Sequence, residues 1–546
     1  MSRFTCFGKK LVHLCILTSI KLACINRYFW GLMASFCRFL ACLNRFFWDL
    51  MASFFRFLVF RVSLFWIQVC YFICVSTVGF IALKVLKPRA ESFKPKDLDM
   101  FFMSVSATTV SSMSTLEMEV FSNTQLVVFL ILMALGGEVF VSVLKLHWLN
   151  SKFKKQGTQN KVDSVGTDRS SSEIELGEKS GTEAGYAIAS LVSEDFRDNS
   201  IRYLGYVVWG YFLGILAVGS ALISMYLSLV PSARNVLKNK GLHGLAFSVF
   251  TSVSAFANGG FVPTNENMIL FSKNSGLLLL LIPQILLGNT LYSPCLRFLI
   301  WVLGNFTRRE ELNYLLNNFN DIGYIHLLPF LPSCLRIVTV FGFILIQFVL
   351  FSCMEWNSDA LKGLNSYQKL VAALFQSVNS RHAGLSIVNL SIISPAILVL
   401  YVVMMYLPPS TTFLPRIYNE QCPKSCEKRR KRREQLVENL LFSQLSYLAI
   451  FIILICITER KKLREDPLNF SVFNIVIEVI SAYGNVGFTI GYSCDRQLKP
   501  DGYCKDSWYG FCGRWSNGGK LILILVMFFG RLGKFNMEKG KAWKLL

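Results

Sequence analysis

The sequence predicts an all-α membrane protein: eight transmembrane helices in four helix–pore loop–helix repeats around a central pseudo-four-fold pore. Three observations predict it. Of 546 residues, 53% are hydrophobic and 16% charged, against about 25% charged in an average soluble domain, and mean hydropathy is +0.45. Eight apolar runs, near 62–86, 124–147, 203–230, 274–303, 335–354, 389–408, 439–458 and 518–536, approach the roughly 20 residues that a spanning helix needs. Within each successive pair lies a shorter segment, near 98–112, 243–260, 367–384 and 471–487. These are too short to span and read as re-entrant. A disordered chain, a collagen and a small disulfide scaffold are excluded.

Residues 1–59 form a hydrophobic extension containing a tandem duplication. RYFWGLMASFCRFL (27–40) recurs as RFFWDLMASFFRFL (45–58), offset by 18 residues. That offset is about five helical turns, so both copies show the same face. Large apolar side chains with interspersed Arg suit an interfacial amphipathic helix. Arg38, Arg45 and Asp49 disfavour a span, and no clean cleavage site suggests a signal peptide.

Repeat 1 follows at 60–147, then a Ser-, Gly-, Lys- and Glu-rich loop at 148–200 that reads as mobile. Repeat 2 takes 201–303, a connection 304–332, repeat 3 333–408, a basic loop 409–438, and repeat 4 439–546. The basic loop holds Arg416, Lys424, Lys428, Arg429, Arg430, Lys431, Arg432 and Arg433. By the positive-inside rule it places the loops between repeats, and both termini, in the cytoplasm. Arg460, Lys461, Lys462 and Arg464 then fall outside, against the rule. The net charge of +22, from 56 Lys+Arg against 34 Asp+Glu, fits basic cytoplasmic loops and a lipid surface, with no nucleic-acid partner.

Most of the 16 cysteines, such as Cys70, Cys74, Cys353 and Cys456, lie in apolar stretches as small hydrophobes. Cys494, Cys504 and Cys512 share a polar loop that carries either one disulfide or free thiols. Cys422 and Cys426 lack the second ligand pair of a zinc site. Scattered histidines, and no HExxH, fitting GxSxG or GxxxxGK[ST] pattern, argue against an enzyme and against any cofactor.

The short segments resemble one another. They read SVSATTVSSM (104–113), SVSAFANGGF (252–261), SVNSRHAGL (377–385) and SAYGNVGF (481–488). Aligning them brings Ser112, Gly260, Gly384 and Gly487 into one register, each followed by an apolar residue. Irregular backbone at membrane depth must be buried in protein or line a watery cavity. Four such loops can form a ring whose carbonyls replace the hydration shell of a monovalent cation. Glycine suits it, because it takes φ > 0 freely. A lone glycine of this kind would more simply be a helix C-cap. Four in register favour a selectivity filter, flanked by Ser111, Asn258, Gly259, His382, Ala383, Asn485 and Val486.

The stretches SATTVSSMSTLEMEVFSNTQL, MALGGEVF, SAFANGGFVPTNENM, QSVNSRHAGLS, VVMMYLPPS and SAYGNVGFTIGYSC resemble the plant HKT-type cation transporters, relatives of the bacterial TrkH and KtrB potassium-uptake subunits. The resemblance covers about 60–546; the duplicated extension lies outside its pattern. It implies one pore per subunit, filter residues Ser112, Gly260, Gly384 and Gly487, and a homodimer. Ser in the first loop implies the sodium-selective subfamily, a plasma-membrane protein that retrieves sodium and supports salt tolerance in a plant. Potassium transport, or sodium–potassium symport, is the alternative on the same scaffold; a receptor or enzyme without a pore is a remote one. In the last span, the resemblance places Arg531 below the filter as an inner barrier, with Lys534 on the same face; otherwise both snorkel to the interface.

Other polar residues have two readings each. Glu117 and Glu119 form an acidic mouth or are solvated surface. Glu138 pairs with a neighbouring helix or a backbone group, rather than binding a permeating ion. Asn258, Asn485 and His382 brace the loops. Of the sequons at Asn305, Asn389 and Asn469, Asn469 is the best glycan candidate on topology. Ser394–Pro395 breaks the sixth span.

Overall fold

The computed structural model describes residues 64–89, 95–148, 151, 180–408, 444–497 and 504–536. The duplicated extension and the basic loop with Cys422 and Cys426 lie outside them. Met1–Ile67 form a separate unit, of which only 64–67 are described, and Gln68–Leu546 form one compact unit.

Every regular element among the described residues is helical. Repeat 1 comprises α1 (Leu64–Val85), the short α2 (Asp97–Thr108), and α3 (Asn123–Gly136) continued by α4 (Glu138–Trp148). Repeat 2 comprises α5 (Ser180–Leu229), the rim helix α6 (Pro231–Asn239), the short α7 (Gly244–Ala257), α8 (Ser275–Leu287) and α9 (Tyr292–Thr307). After α10 (Glu310–Asn317), repeat 3 comprises α11 (Phe330–Glu355), the short α12 (Ser366–Asn379) and α13 (Pro395–Tyr406). Repeat 4 comprises α14 (Gln444–Thr458), α15 (Arg460–Glu465), the short α16 (Val472–Gly484) and α17 (Asn517–Asn536). A helix, a short helix and a further helix thus follow one another in each of the four stretches.

Membrane burial explains the surface. Val78, Val218, Phe341 and Ile457 are 65%, 59%, 52% and 59% exposed on the outer helices, an arrangement suited to lipid rather than water. Among the described residues, three helices are long and apolar enough to cross a membrane, or five when each bent pair counts as one span.

Four boundaries differ from expectation. α5 begins at Ser180, so the end of the expected 148–200 loop is helical. The second span of repeat 1 bends by 53° between Gly136 and Glu138, and that of repeat 2 by 83° between Leu287 and Tyr292. Both read as straight in the sequence, because hydropathy averages across a break. Pro395 starts α13 at its first turn rather than breaking a span, where a missing N–H costs nothing.

The bends and the short helices share one device. A Cβ added to Gly136, Gly288 or Gly530 would overlap the carbonyl oxygen of Thr108, Phe256 or Tyr483 respectively. Those carbonyls belong to residues four before Ser112, Gly260 and Gly487. In three repeats a glycine of the second span thus seats the end of its own short helix. In repeat 3, Gly484 of the neighbouring short helix approaches the Met405 carbonyl instead. The seam between repeats 1 and 4 carries a buried ion pair, Lys520 Nζ to Asp99 at 2.6 Å, beside an apolar cluster of Phe102, Val105, Ile475, Phe511 and Met527.

Gly530→Ala should lower the melting temperature of the detergent-solubilised protein by several degrees, since overpacking against backbone costs about 1–3 kcal/mol. Gly214→Ala, with nothing within 4 Å of the added carbon, should leave it unchanged in the same assay.

Candidate selectivity filter and pore

The short helices end where the loops begin, and their caps settle what the glycines do. α7 and α16 stop at Ala257 and Gly484, and the left-handed caps are Asn258 (φ 60°) and Asn485 (φ 48°). Gly260 and Gly487 lie two residues further on and are free of that task.

All four expected filter residues have positive φ: Ser112 59°, Gly260 62°, Gly384 63° and Gly487 100°. They also meet. A Cβ on Gly260 would overlap Ser112 and the Ala383 carbonyl, one on Gly384 the Val486 carbonyl, and one on Gly487 the Ser112 side chain. The contacts run from repeat 1 to 2, 2 to 3, 3 to 4, and 4 back to 1, so the ring closes. The carbonyls of Ala383 and Val486, each just before a filter residue, take part in these contacts.

Ser112 is the one side chain in the ring. An L-residue in the left-handed region costs about 1–2 kcal/mol. Its hydroxyl offsets this by donating to the Gly259 carbonyl at 2.7 Å, with the Ala383 carbonyl at 3.2 Å.

The flanking residues brace the loops. Asn485 Nδ2 donates to Ser111 Oγ at 2.8 Å and approaches the Met527 carbonyl at 3.2 Å, joining repeat 4 to repeat 1 and to α17. Ser111 Oγ also pairs with Thr109 Oγ1 at 2.7 Å. Asn258 Nδ2 bonds only locally, to Phe256 O at 3.3 Å. His382 Nδ1 lies 2.6 Å from the Val378 carbonyl, which can only accept. Its Nε2 therefore accepts from Thr290 Oγ1 at 2.9 Å, tying the third loop to the bend of repeat 2.

On one side the ring opens into a vestibule of about 280 Å³. Ser112, Gly260 and Gly487 form its floor, and Thr264, Asn389, Thr489 and Trp508 stand among its walls. Glu117 and Glu119 at its rim are partnered rather than freely solvated. Glu117 accepts from Trp508 N at 3.1 Å and Asn265 Nδ2 at 3.3 Å, and Glu119 pairs with Lys240 at 2.7 Å. Cys494 and Cys504 form a disulfide, while Cys512 is buried with its thiol toward the Ser114 carbonyl at 3.5 Å. The Arg460–Arg464 basic run sits between α14 and α16 on this same side, with Lys462 donating to the Arg514 carbonyl at 2.5 Å.

Asn469 does not fit its expected glycan well. It is 3% exposed, and its Nδ2 donates to Asp466 at 3.0 Å and to the Ser493 carbonyl at 3.0 Å. A glycan on that nitrogen would displace one of the two. Asn305 and Asn389 are exposed.

At the other end of α17, Arg531 does not snorkel. It is 3% exposed and donates to the Gly136 carbonyl at the bend of repeat 1. Lys534 Nζ donates to the Gly484 carbonyl at 2.6 Å. Glu138 faces His326 Nδ1 at 4.0 Å, with Lys145 and Lys534 lining the same small cavity. The seating glycines and the Asn265–Glu119 contact went unread in the sequence. The signal for the glycines was there: MALGG, ILLGN and FFGR each put Gly in the middle of a second span.

Residues 189–537 match the family model TrkH, described as a cation transport protein. The chain is 51% identical to cation transporter HKT1;3 of Oryza sativa subsp. japonica over 88% of its own length and 91% of that protein's. It is 52% identical to sodium transporter HKT1 of Arabidopsis thaliana over 85% and 92%, and 42% identical to rice cation transporter HKT2;4 over 87% and 93%. The crystal structure of the potassium transporter TrkH from Vibrio parahaemolyticus aligns with TM-score 0.49 and 15% identity, over 87% of this chain and 84% of that one.

Gly487→Ala should abolish cation flux in whole-cell uptake, because the new methyl collides with Ser112. Adding Ser112→Gly removes most of that obstacle and should restore part of the flux, leaving a tight 3.0 Å approach to the Cα at position 112 and the strain of Ala at φ 100°.

Proposed function

Because this chain belongs to the TrkH cation-transport family, and so is a membrane cation transporter and no enzyme, we propose that it conducts sodium passively through one pore per subunit. Ser112, Gly260, Gly384 and Gly487 are the filter of this reading. The observation that carries it is the closed ring of four positive-φ residues, three of which floor the vestibule. There, backbone carbonyls can stand in for the water that an ion gives up.

Sodium rather than potassium rests on Ser112. Its hydroxyl occupies one quadrant of the ring and engages the Gly259 and Ala383 carbonyls. A carbonyl held by a hydroxyl is less available to a cation, and the ring loses the even set of oxygens that suits the larger ion. The Arabidopsis relative, 52% identical, is named a sodium transporter. Ions move down their electrochemical gradient. Arg531 and Lys534 act as the inner barrier, since a fixed positive charge opposes a cation. The same reading puts the protein in the plasma membrane with both termini cytoplasmic, as one half of a homodimer, retrieving sodium in a plant under salt.

Reversal potentials in voltage-clamped oocytes test it. Replacing external potassium by sodium should shift the wild type positive. Ser112→Gly should gain potassium current and narrow the difference between the ions several-fold. Equal shifts for both ions in the wild type would move the protein to the potassium-carrying reading, and a surface-expressed protein without cation current would end both. Arg531→Ala, compared at equal surface density, should raise inward current several-fold.

A further inference from the structure

Two of the carboxylates that could make the mouth attractive to cations are occupied by one ammonium. Lys240 Nζ lies 2.7 Å from Glu119 Oε1 and 2.7 Å from Glu266 Oε1. Lys240 follows α6, Glu119 follows the first filter loop and Glu266 the second. Asn265 completes the cluster: its Oδ1 accepts from Glu119 N at 2.9 Å, and its own N–H donates to Glu119 Oε1 at 3.2 Å.

The cluster borders the vestibule directly. Glu266 and Asn265 are among the vestibule walls, whose floor is Ser112, Gly260 and Gly487. The three charged side chains are 24%, 26% and 17% exposed, so water reaches them but does not fully screen them. Glu266 Oε2 is buried without a hydrogen-bond partner. Glu117 and Asp506 lie nearby but bond to backbone or amide N–H groups, and the Arg89 guanidinium approaches Gly241. Burial pulls the Lys240 ammonium down, yet the bonds from Glu119 and Glu266 outweigh it and hold its pKa above the ordinary lysine value.

We infer that Lys240 sets the electrostatic potential of the vestibule, and through it the external cation concentration at which transport half-saturates. This rests on the reading that cations enter through the vestibule. The four carboxylates of Glu117, Glu119, Glu266 and Asp506, set against Lys240 and Arg89, leave the mouth only weakly negative. Without Lys240, one further negative charge would act on arriving cations, concentrating them in proportion to the field.

Lys240→Gln should lower the half-saturating external sodium concentration on the order of threefold at low ionic strength. The difference should vanish when an impermeant salt raises ionic strength. Lys240→Arg should match the wild type. The decisive variant is Lys240→Gln with Glu119→Gln, which restores net charge while leaving the tether between the two loops broken. It should return half-saturation to the wild-type value. An unchanged Lys240→Gln would overturn the inference. So would a change that persists at high ionic strength and is not reversed by Glu119→Gln, because it would make Lys240 only a tether. A wild type that reaches the surface without cation current would overturn the pore reading as well as this one.

Discussion

The ring admits no second side chain. Each of its three glycines approaches a neighbour so closely that an added methyl would overlap a carbonyl or Ser112. Nearly everything else in the protein serves that approach. The short helices must end at one depth, their carbonyl ends must be seated, and the loops beyond them must hold left-handed backbone without help from a regular ladder. Three second-span glycines supply the seats. Asn258 and Asn485 supply caps that leave the filter glycines free, and Asn485 adds a bond to Ser111 of the neighbouring repeat 1.

A backbone bent this way at membrane depth is stable only if its polar groups are satisfied. The structure meets this through hydroxyls, amides and a few charges aimed at carbonyls. Thr108 and Thr109 bond back to the turn before them at 2.8 Å. His382 closes the third loop on Thr290. Arg531 and Lys534 turn to the carbonyls of Gly136 and Gly484. A charge buried in the bundle is tolerated when it faces protein groups of this kind rather than lipid.

Much of this was legible in the sequence. The length limit on a spanning helix separates long from short apolar runs, and the aligned short segments place Ser112, Gly260, Gly384 and Gly487 together because one membrane depth imposes one register. What was not legible depends on residues far apart in the chain. Lys520 meets Asp99 across 421 positions, and no periodicity reports that. The bends at Gly136 and Gly288 hide inside runs whose hydropathy is unbroken. The choice of Cys504 over Cys512 as the partner of Cys494 is set by burial: Cys512 lies in the core of repeat 4 with Phe511 and Trp515. Glu119 looked like free acid at a mouth, since its partner Lys240 stands at the end of another repeat's rim helix.

The seams between repeats show how one chain keeps four copies in order. Repeats 2 and 3 share a large apolar core in which Leu278, Leu281, Ile344 and Phe375 pack together. Such contacts are strong but indifferent to register, because apolar attraction has no direction. Directed contacts set the register: His382 to Thr290 between repeats 2 and 3, and, around repeat 1, Glu119 to Lys240, Glu117 to Trp508, Asp99 to Lys520 and Ser111 to Asn485. A buried pair such as Asp99–Lys520 adds little net stability, but leaving either charge alone there would be costly. The pair therefore penalises any slip of α17 against α2 far more than it rewards their meeting. Ser112 stands in the repeat held this way. The one filter position with a side chain sits where register is fixed by charge and hydrogen bonds, and its hydroxyl can meet the Gly259 carbonyl only while that register holds.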